Sequence, residues 1–249
     1  MDLHPRRALG AATMKHPPWL LASPGELVAG RIVVLDSMEA RHVAGPLRMR
    51  LGDRVFVTDG AGAVASGTLS LQGRSAAEVS IDAVEDRTPS APGLTLAVAL
   101  LAGSAMDLVI QKAVELGVER LLPVGCQRSQ IGLKRAMTRM DHWHRIARQA
   151  LKQCHRAWAM ELAIPRPLAE LIDGAEAEYG VVAHPEGGSI EELPPGRGRL
   201  LLIGPEGGFS LEEERAFSSA GWPRVRLGRY VLRAETAAVA GAALFAPRF

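Results

Sequence analysis

The sequence predicts an α/β protein, in which a parallel sheet with helices on both faces follows a small β-barrel. In residues 31–81, short apolar or alternating runs lie between turn dipeptides, which indicates short strands joined by tight connections. From residue 94 onward, continuous apolar runs alternate with helical stripes, which is typical of a parallel sheet covered on both faces. The polar stretch Glu85–Gly93 between them carries two prolines and a glycine, so we expect a linker there.

Composition narrows the classes of protein to which the chain can belong. Its 249 residues suffice for one large domain or two small ones, and 47% apolar with 22% charged residues is ordinary for a globular protein. No run approaches the roughly 18 apolar residues of a membrane span, so we expect no membrane partner. The two cysteines, Cys126 and Cys154, have no metal-ligand spacing and suggest no disulfide framework, which favours a cytoplasmic protein without a metal.

The first region is expected to form the barrel. Residues 1–18 contain basic residues but lack the apolar stretch of a secretory signal, so we expect a flexible tail there. The barrel domain is then expected over residues 19–88. Its predicted strands are Arg31–Leu35, Arg54–Thr58, Ala63–Leu71 and Ala77–Ile81.

The second region, residues 94–249, is expected to hold the parallel sheet. Its predicted strands are Leu94–Leu101, Leu121–Val124, Tyr179–Ala183, Leu200–Ile203 and Val225–Leu227. Its helical stripes are Met106–Val114, Trp143–Cys154, Leu211–Ala220 and Thr236–Phe245. Asp141 is the expected N-cap of the second of these helices. Cys154 is expected to be buried there as a small apolar residue.

A strand, a glycine-rich loop and a helix start lie close together at Arg199–Ser210, which is the expected ligand site. The apolar run Leu200–Ile203 ends abruptly at a Gly-Pro pair, and Ser210 with Glu213 forms the pattern of a capping box. Open α/β sheets bind ligands beyond the carboxyl ends of their strands, and glycines allow close backbone approach. The loop matches neither a P-loop nor a dinucleotide fingerprint, which disfavours a triphosphate or NAD. The alternative is a plain tight turn.

The tetrapeptide Pro-Glu-Gly-Gly occurs twice, at Pro185–Gly188 and at Pro205–Gly208. Each copy follows an apolar run, so we expect two loops at the ends of neighbouring strands that face one cleft. Coincidental turn chemistry explains the first copy equally well.

Basic residues are concentrated between Arg128 and Arg156, where the only acid is Asp141. The basic residues of this stretch are Arg128, Lys134, Arg135, Arg139, Arg145, Arg148, Lys152 and Arg156. Such an imbalance favours a face that contacts nucleic acid. The alternative is a solvated helix face.

Two motifs near the end of the chain form a pair. The first, Ile203–Ser210, reads I-G-P-E-G-G-F-S, and the second, Leu227–Ala237, reads L-G-R-Y-V-L-R-A-E-T-A. Together they resemble the signature of the RsmE family, in the SPOUT superfamily of methyltransferases. That family has the same loop followed by L-G-x-R-(I/V)-L-R-x-E-T-A, so Tyr230 replaces the usual arginine. Weaker matches extend the resemblance from Arg31 to Leu244; they lie at Ala40–Asp53, Lys112–Val118, Gln127–Ser129 and Gln153–Arg156.

The resemblance implies an enzyme that transfers methyl from S-adenosylmethionine to N3 of a uridine in 16S ribosomal RNA, within the small ribosomal subunit. It implies that residues 19–88 form a PUA-like RNA-binding barrel and residues 94–249 a SPOUT domain with a trefoil knot. It also implies a homodimer. The cofactor-binding residues that it implies are Ile203, Gly204, Pro205, Gly207, Gly208, Leu227, Gly228, Val231 and Leu232.

Candidates for catalysis and RNA binding lie in the same matched stretches. Arg233 and Glu206 are the candidates near the reacting atoms, although Arg233 could equally hold a loop and Glu206 could equally position Gly207. The expected RNA contacts are Arg41, Arg48 and Arg50 in the barrel and Arg128, Arg145, Arg148 and Arg156 in the basic stretch. Plain surface charge is an alternative for these arginines.

Two other classes of function stay open from the sequence. The chain could be an RNA- or ribosome-binding module without catalysis, which would use the barrel and the basic helix. It could also be a small-molecule enzyme that uses the glycine loop for phosphate, although the basic stretch would then have no role. Binding of S-adenosylmethionine separates the first of these from the methyltransferase.

Overall fold

The computed structural model describes five stretches of the chain, and the expected tail falls almost wholly outside them. The described residues are 17–72, 76–88, 93–174, 180–193 and 199–246. The chain divides into two compact units. One comprises residues up to 59 with residues 63–85, and the other comprises residues 60–62 with residues from 86 onward. Strand continues through Asp86 of the expected linker, whose centre, residues 89–92, lies outside the described residues.

The N-terminal unit is built on a five-stranded sheet with the order β1-β3-β4-β5-β2. Its strands are β1 (Trp19–Leu21), β2 (Ile32–Leu35), β3 (Arg54–Thr58), β4 (Ala63–Gln72) and β5 (Ala77–Asp86). The four predicted strands are confirmed, whereas β1 was not predicted from the sequence. Strand β1 pairs parallel with β3, while β3–β4 and β2–β5 are antiparallel. This sheet is consistent with the predicted barrel.

Buried and exposed residues alternate along the strands, which explains how one face of this sheet covers a core. Val33 and Leu35 of β2 are buried, whereas Ile32 and Val34 between them are exposed. One face therefore packs inward, where Leu20 of β1 is fully buried in the same cluster. Helix α1 (Ser37–Ala44) packs beside β4, and the Asp36 carboxylate caps it by accepting from two backbone N–H groups.

The second unit holds a seven-stranded, wholly parallel sheet with helices between its strands. Its strands are β6 (Thr95–Ala99), β7 (Arg120–Gly125), β8 (Glu161–Leu162), β9 (Arg166–Pro167), β10 (Gly180–Gly188), β11 (Leu200–Ile203) and β12 (Arg224–Val225). Its helices are α2 (Ser104–Glu115), α3 (Leu133–Met137), α4 (Met140–Gln153), α5 (Leu168–Ile172), α6 (Leu211–Ser219) and α7 (Ala234–Phe245). The order is β12-β10-β11-β6-β7-β8, with β9 also on β7. The predicted α/β class is confirmed.

Side chains of β11 show that helices cover both faces of this sheet. Leu200 and Leu202 belong to a core cluster that includes Phe217 of α6. On the other face, Gly241 of α7 lies so close to Leu201 that an added Cβ would stand 2.4 Å from a Leu201 methyl carbon. A strand covered on both faces must be apolar at every position, as the four leucine and isoleucine residues of β11 are.

Two local predictions about α4 are wrong. Asp141 lies inside the first turn, and the N-cap is Arg139, whose backbone is already helical because α3 ends only two residues earlier. Cys154 is the C-cap of α4 and is only half-buried, since the apolar stripe ends with the helix.

The described residues contain neither a helix long and apolar enough to cross a membrane nor a group of three or more His, Cys, Asp or Glu side chains that could hold a metal ion. Within them, helices and strands account for the apolar runs of the sequence.

Candidate functional site

A cleft of about 710 Å³ opens at the carboxyl edge of the parallel sheet, beyond β10, β11 and β12. Three segments form its walls: residues 183–185, residues 203–209 and residues 226–237. Its volume lies in the range of small-molecule sites, roughly 300–1,000 Å³. The lining residues are Ala183, His184, Pro185, Ile203, Gly204, Pro205, Glu206, Gly208, Phe209, Arg226, Leu227, Gly228, Tyr230, Val231, Leu232, Arg233, Ala234 and Ala237.

The glycine loop, residues 204–208, forms one wall of the cleft because two local hydrogen-bonding patterns fix its backbone. Gly208 has a φ of +70° and its N–H donates to the Pro205 carbonyl over 2.9 Å, which closes a turn. The predicted capping box is confirmed: Ser210 N–H donates to the Glu213 carboxylate over 2.7 Å, and Glu213 N–H donates to Ser210 Oγ over 3.2 Å. The loop therefore leaves β11 and enters α6 in a defined direction.

Close packing behind this loop also requires glycine. A Cβ at Gly204 would lie 2.8 Å from the ring of Phe209, which is buried under the loop. Phe209 in turn contacts Phe217 of α6 edge to face, with ring centroids 4.8 Å apart. The loop thus packs on the ring of Phe209, which in turn packs on Phe217.

The second wall, Leu227–Leu232, has an unusual backbone. None of its N–H or C=O groups forms a hydrogen bond to another described residue, although Leu227, Gly228 and Leu232 are half-buried. Partly buried backbone groups without partners are unfavourable unless something else pairs with them. This wall therefore offers donors and acceptors to a ligand in the cleft.

A further loop, residues 126–130 after β7, packs on the outside of the glycine loop. Arg128 Nη1 donates to the Gly207 carbonyl over 2.9 Å. Gln127 N–H donates to Glu213 over 2.8 Å, and the Gln130 amide donates to the Glu206 carboxylate. The sequence marked Gln127–Ser129 as a weak family match and Arg128 as an expected RNA contact, and no local pattern shows that this stretch meets a loop about 80 residues away.

Burial changes the thiol chemistry at the start of this loop. Burial, followed by the negative charge of Glu213, raises the pKa of the Cys126 thiol to about 12. The thiol is therefore protonated and unreactive at neutral pH. Cys126 is a packing residue of the loop that supports the site.

The structure brings almost all of the predicted cofactor-binding residues to one cleft. Eight of the nine line it; Gly207 is the exception, because its missing side chain would point at Arg128. Glu206 and Arg233, the two catalytic candidates, line it as well. Sequence reasoning missed His184 and Arg226, which lie in no motif, and Phe209, which lies in the first motif but was not named as a site residue.

The predicted second loop at Pro185–Gly188 is wrong, since these residues continue β10 as strand. The register against β12 shifts between Ala183 and Gly188, so the intervening residues bulge beside Val225. The bulge still brings Ala183, His184 and Pro185 to the cleft.

The predicted RNA-binding arginines fall into free and engaged groups. Arg41, Arg48 and Arg50 of the N-terminal unit are exposed. In the second unit, Arg128 and Arg145 are exposed, although Arg128 is bonded to Gly207. Arg148 is half-buried and interacts with other groups of the protein.

Arg156 differs most from expectation. Its Nη1 donates to the Val114 carbonyl over 3.1 Å, and burial lowers the pKa of its guanidinium below the usual value. The guanidinium thus ties the end of α4 to α2.

Known proteins resemble this chain in both sequence and structure. A model of the RNA methyltransferase domain family matches residues 88–246. Proteins named ribosomal RNA small subunit methyltransferase E match from Synechocystis, at 26% identity over 88% of this chain and 73% of the relative, and from Mycobacterium bovis, at 29% over 84% of both. The solved protein of that name from Neisseria gonorrhoeae, bound to S-adenosylmethionine, has a TM-score of 0.83 at 28% identity, over 92% of this chain and 96% of that one.

A second solved structure is similar over its whole length. It is a proposed methyltransferase from Legionella pneumophila with the cofactor bound, and it has a TM-score of 0.85 at 30% identity, over 92% of this chain and 97% of that one. The family match spans more than half of the chain and contains the glycine loop and the segment 226–237 of the cleft. The chain therefore belongs to the RsmE family of RNA methyltransferases.

Proposed function

We propose that this protein transfers a methyl group from S-adenosylmethionine to N3 of a uridine in 16S ribosomal RNA, within the small ribosomal subunit. The cleft carries this proposal, because an unpaired backbone wall at Leu227–Leu232 faces a glycine loop of the family sequence. The Neisseria and Legionella proteins bind S-adenosylmethionine, and the curated relatives are named as small-subunit ribosomal RNA methyltransferases. A non-catalytic RNA-binding protein is not favoured by these relatives.

The residues present fit this cofactor. Apolar side chains of Ile203, Leu227 and Leu232 can hold the flat adenine, while the unpaired backbone groups of the second wall can bond its edge. The Glu206 carboxylate supplies negative charge at a cleft that would hold a positively charged sulfonium. The remaining predicted cofactor-binding residues that line the cleft are Gly204, Pro205, Gly208, Gly228 and Val231.

The chemistry needs alignment and help with one proton. When bound, S-adenosylmethionine supplies a methyl group on a sulfonium that is already activated for transfer. The chain must hold the uracil N3 in line with that methyl, which contributes through orientation. N3 must also lose its proton, which passes to solvent water, and we assign Arg233 to stabilise the negative charge that develops on the uracil. Glu206, held by the Gln130 amide, is the second candidate beside the reacting atoms.

The two units are proposed to divide the work. Residues 19–88 would form a PUA-like RNA-binding domain, with the exposed Arg41, Arg48 and Arg50 on phosphates. Residues 94–249 would bind the cofactor and carry out the reaction. Arg128, Arg145, Arg148 and Arg156 would add positive charge that favours RNA; Arg145 is exposed and, among the described residues, donates only to the Asp141 carbonyl of its own helix.

The resemblance of the two motifs to SPOUT methyltransferases supports three further proposals. The C-terminal part of the second unit would form a trefoil knot around the cofactor site. The protein would act as a homodimer, which is supported by the exposed apolar side chains of Val231 and Leu244. Its place of action would be the cytoplasm, where small ribosomal subunits are assembled.

Calorimetry with S-adenosylmethionine and nucleoside mass spectrometry of methylated small subunits test the proposed function. We expect binding of the cofactor and formation of 3-methyluridine. Gly228→Val should abolish cofactor binding, because a Cβ there meets only Leu232, at 3.8 Å, so the fold tolerates the side chain while the cleft is filled. Gly132→Val is the matched control, since its Cβ would meet no atom within 4 Å and lies outside the cleft. Wild-type protein that neither binds the cofactor nor forms 3-methyluridine would refute the proposal.

A further inference from the structure

The rim of the cleft carries a short cationic segment that the basic stretch at residues 128–156 does not include. Arg226–Arg233 reads R-L-G-R-Y-V-L-R, with three arginines and no acid in eight residues. All three arginines and Tyr230 are exposed. Arg226, Tyr230 and Arg233 line the cleft itself. The segment thus places positive charge and an aromatic ring at the entrance of the proposed cofactor site.

The three guanidinium groups are available for an anion. Their side chains show no hydrogen bond or ion pair to any residue that the structure describes. Neighbouring arginines behave differently: Arg224 pairs with Glu214, and Arg128 is bonded to the Gly207 carbonyl. Exposed cations that are not neutralised within the chain attract the phosphates of a nucleic acid.

Tyr230 provides a surface for a base. The residue is 74% exposed, which is unusual for a large aromatic residue. The Arg229 guanidinium carbon lies 5.6 Å from the ring centroid, within the range of a cation–π contact that orients the ring. Pyrimidine bases stack on such rings in single-stranded RNA, and stacking tolerates any base because each has a π face.

We propose that Tyr230, oriented by Arg229, is the stacking platform for the pyrimidine that is methylated, and that Arg226 binds a phosphate beside it. This proposal rests on the proposed function. A base that receives a methyl group at its pairing edge must leave its stack and enter the cleft. The Tyr230 ring lies on the rim of the cleft between these arginines, so it can meet the base where that base leaves the RNA. In this chain, Tyr230 stands at the position where the family usually has arginine.

Steady-state methyl transfer to small ribosomal subunits by the full-length protein tests the platform. We expect Tyr230→Ala to lower kcat/KM for the subunits roughly tenfold, within the range that stacking supports. Tyr230→Phe should retain most of the activity, because the ring remains, and Arg229→Ala should lose about threefold. The affinity for S-adenosylmethionine should stay within about twofold of wild type in all three. Leu211→Ala is the matched control, since Leu211 is 75% exposed but lies outside the cleft.

Photocrosslinking locates the contact without relying on turnover. With 16S RNA transcribed with 5-bromouridine, we expect a crosslink in the tryptic peptide Tyr230–Arg233. If wild type forms no 3-methyluridine, the proposed function fails, and this crosslink still decides where a pyrimidine lies. The platform is overturned if Tyr230→Ala methylates as well as wild type, if it loses cofactor affinity or dimerisation instead, or if crosslinks avoid this peptide.

Discussion

Two copies of Pro-Glu-Gly-Gly in the second unit adopt different structures. Pro205–Gly208 is a loop, closed by the Gly208 N–H on the Pro205 carbonyl. Pro185–Gly188 is the end of strand β10 and bulges against β12. Gly208 has a positive φ, whereas Gly188 does not. Four identical residues therefore do not determine the backbone.

The residues that follow do not separate the two copies either. Ser189 with Glu192 and Ser210 with Glu213 both form capping boxes. The two copies differ in the segment of the chain that packs against each of them. Gly187 lies against the backbone of Val225, and the Gly188 carbonyl accepts from Arg226 N–H over 3.0 Å. Strand β12 thus pairs with Gly188, the last residue of the first copy, while the second copy meets the loop 126–130 and forms a turn.

The largest expected effect separates the third residues of the two copies. In Gly187→Ala the new Cβ would lie 2.4–2.6 Å from Val225 backbone atoms, so we expect a loss of about 3 kcal/mol in unfolding free energy, since backbone cannot move aside cheaply. Thermal denaturation should then show a Tm roughly 6–10 °C lower. In Gly207→Ala the Cβ would stand 3.4 Å from Arg128, so Tm should change by less than about 3 °C. Similar Tm values for the two variants would contradict this account.

The second prediction compares the two glutamates. Glu206 lines the cleft, whereas Glu186 is exposed and lies outside it. Glu206→Gln should weaken S-adenosylmethionine binding about fivefold, because it removes an exposed negative charge near a cationic ligand. Glu186→Gln should leave the affinity unchanged. Calorimetry measures both, and equal affinities would mean that the carboxylate does not face the cofactor.

The third prediction addresses the loop that supports only the second copy. Arg128→Ala removes the bond to the Gly207 carbonyl, so the glycine loop should become less ordered and cofactor affinity should fall about threefold. Arg128→Lys should restore part of the affinity, because a lysine can donate to the same carbonyl. Arg145→Ala, an exposed arginine outside the cleft, is the control. Unchanged cofactor affinity in Arg128→Ala would show that the glycine loop is ordered without this hydrogen bond.

The last expected effect appears only at alkaline pH. Because the pKa of Cys126 is raised to about 12 in the folded protein, the unfolded chain loses this proton first as pH rises above about 9. The unfolding free energy therefore falls with pH above 9, by about 1 kcal/mol at pH 10. In Cys126→Ala this contribution is absent. The difference in Tm between wild type and variant should thus shift by roughly 2–4 °C from pH 8 to pH 10; a constant difference would count against the burial of this thiol.

Local signals predicted the centre of the site. The buried run of β11 and the Ser210–Glu213 capping box act within a few residues, so their physics is present in the sequence itself. The resemblance then assigned the glycine loop and Leu227–Leu232 to one ligand, and the structure brings both segments to one cleft. The alternation of apolar runs and helical stripes was likewise enough to predict the α/β class, because each element must bury its own apolar face.

Only the tertiary structure decided how distant segments use similar residues. Pro185–Gly188 is part of strand β10 rather than a separate loop, with Gly188 paired to β12. Arg156, grouped by sequence with the basic surface, bonds to Val114 because α4 packs on α2. Arg128 meets Gly207 across 79 positions. Such contacts depend on which surfaces face one another after folding, and a run of neighbouring residues holds no information about a partner that far along the chain. The sequence therefore determined the α/β class and the glycine loop, and packing determined which charges were free.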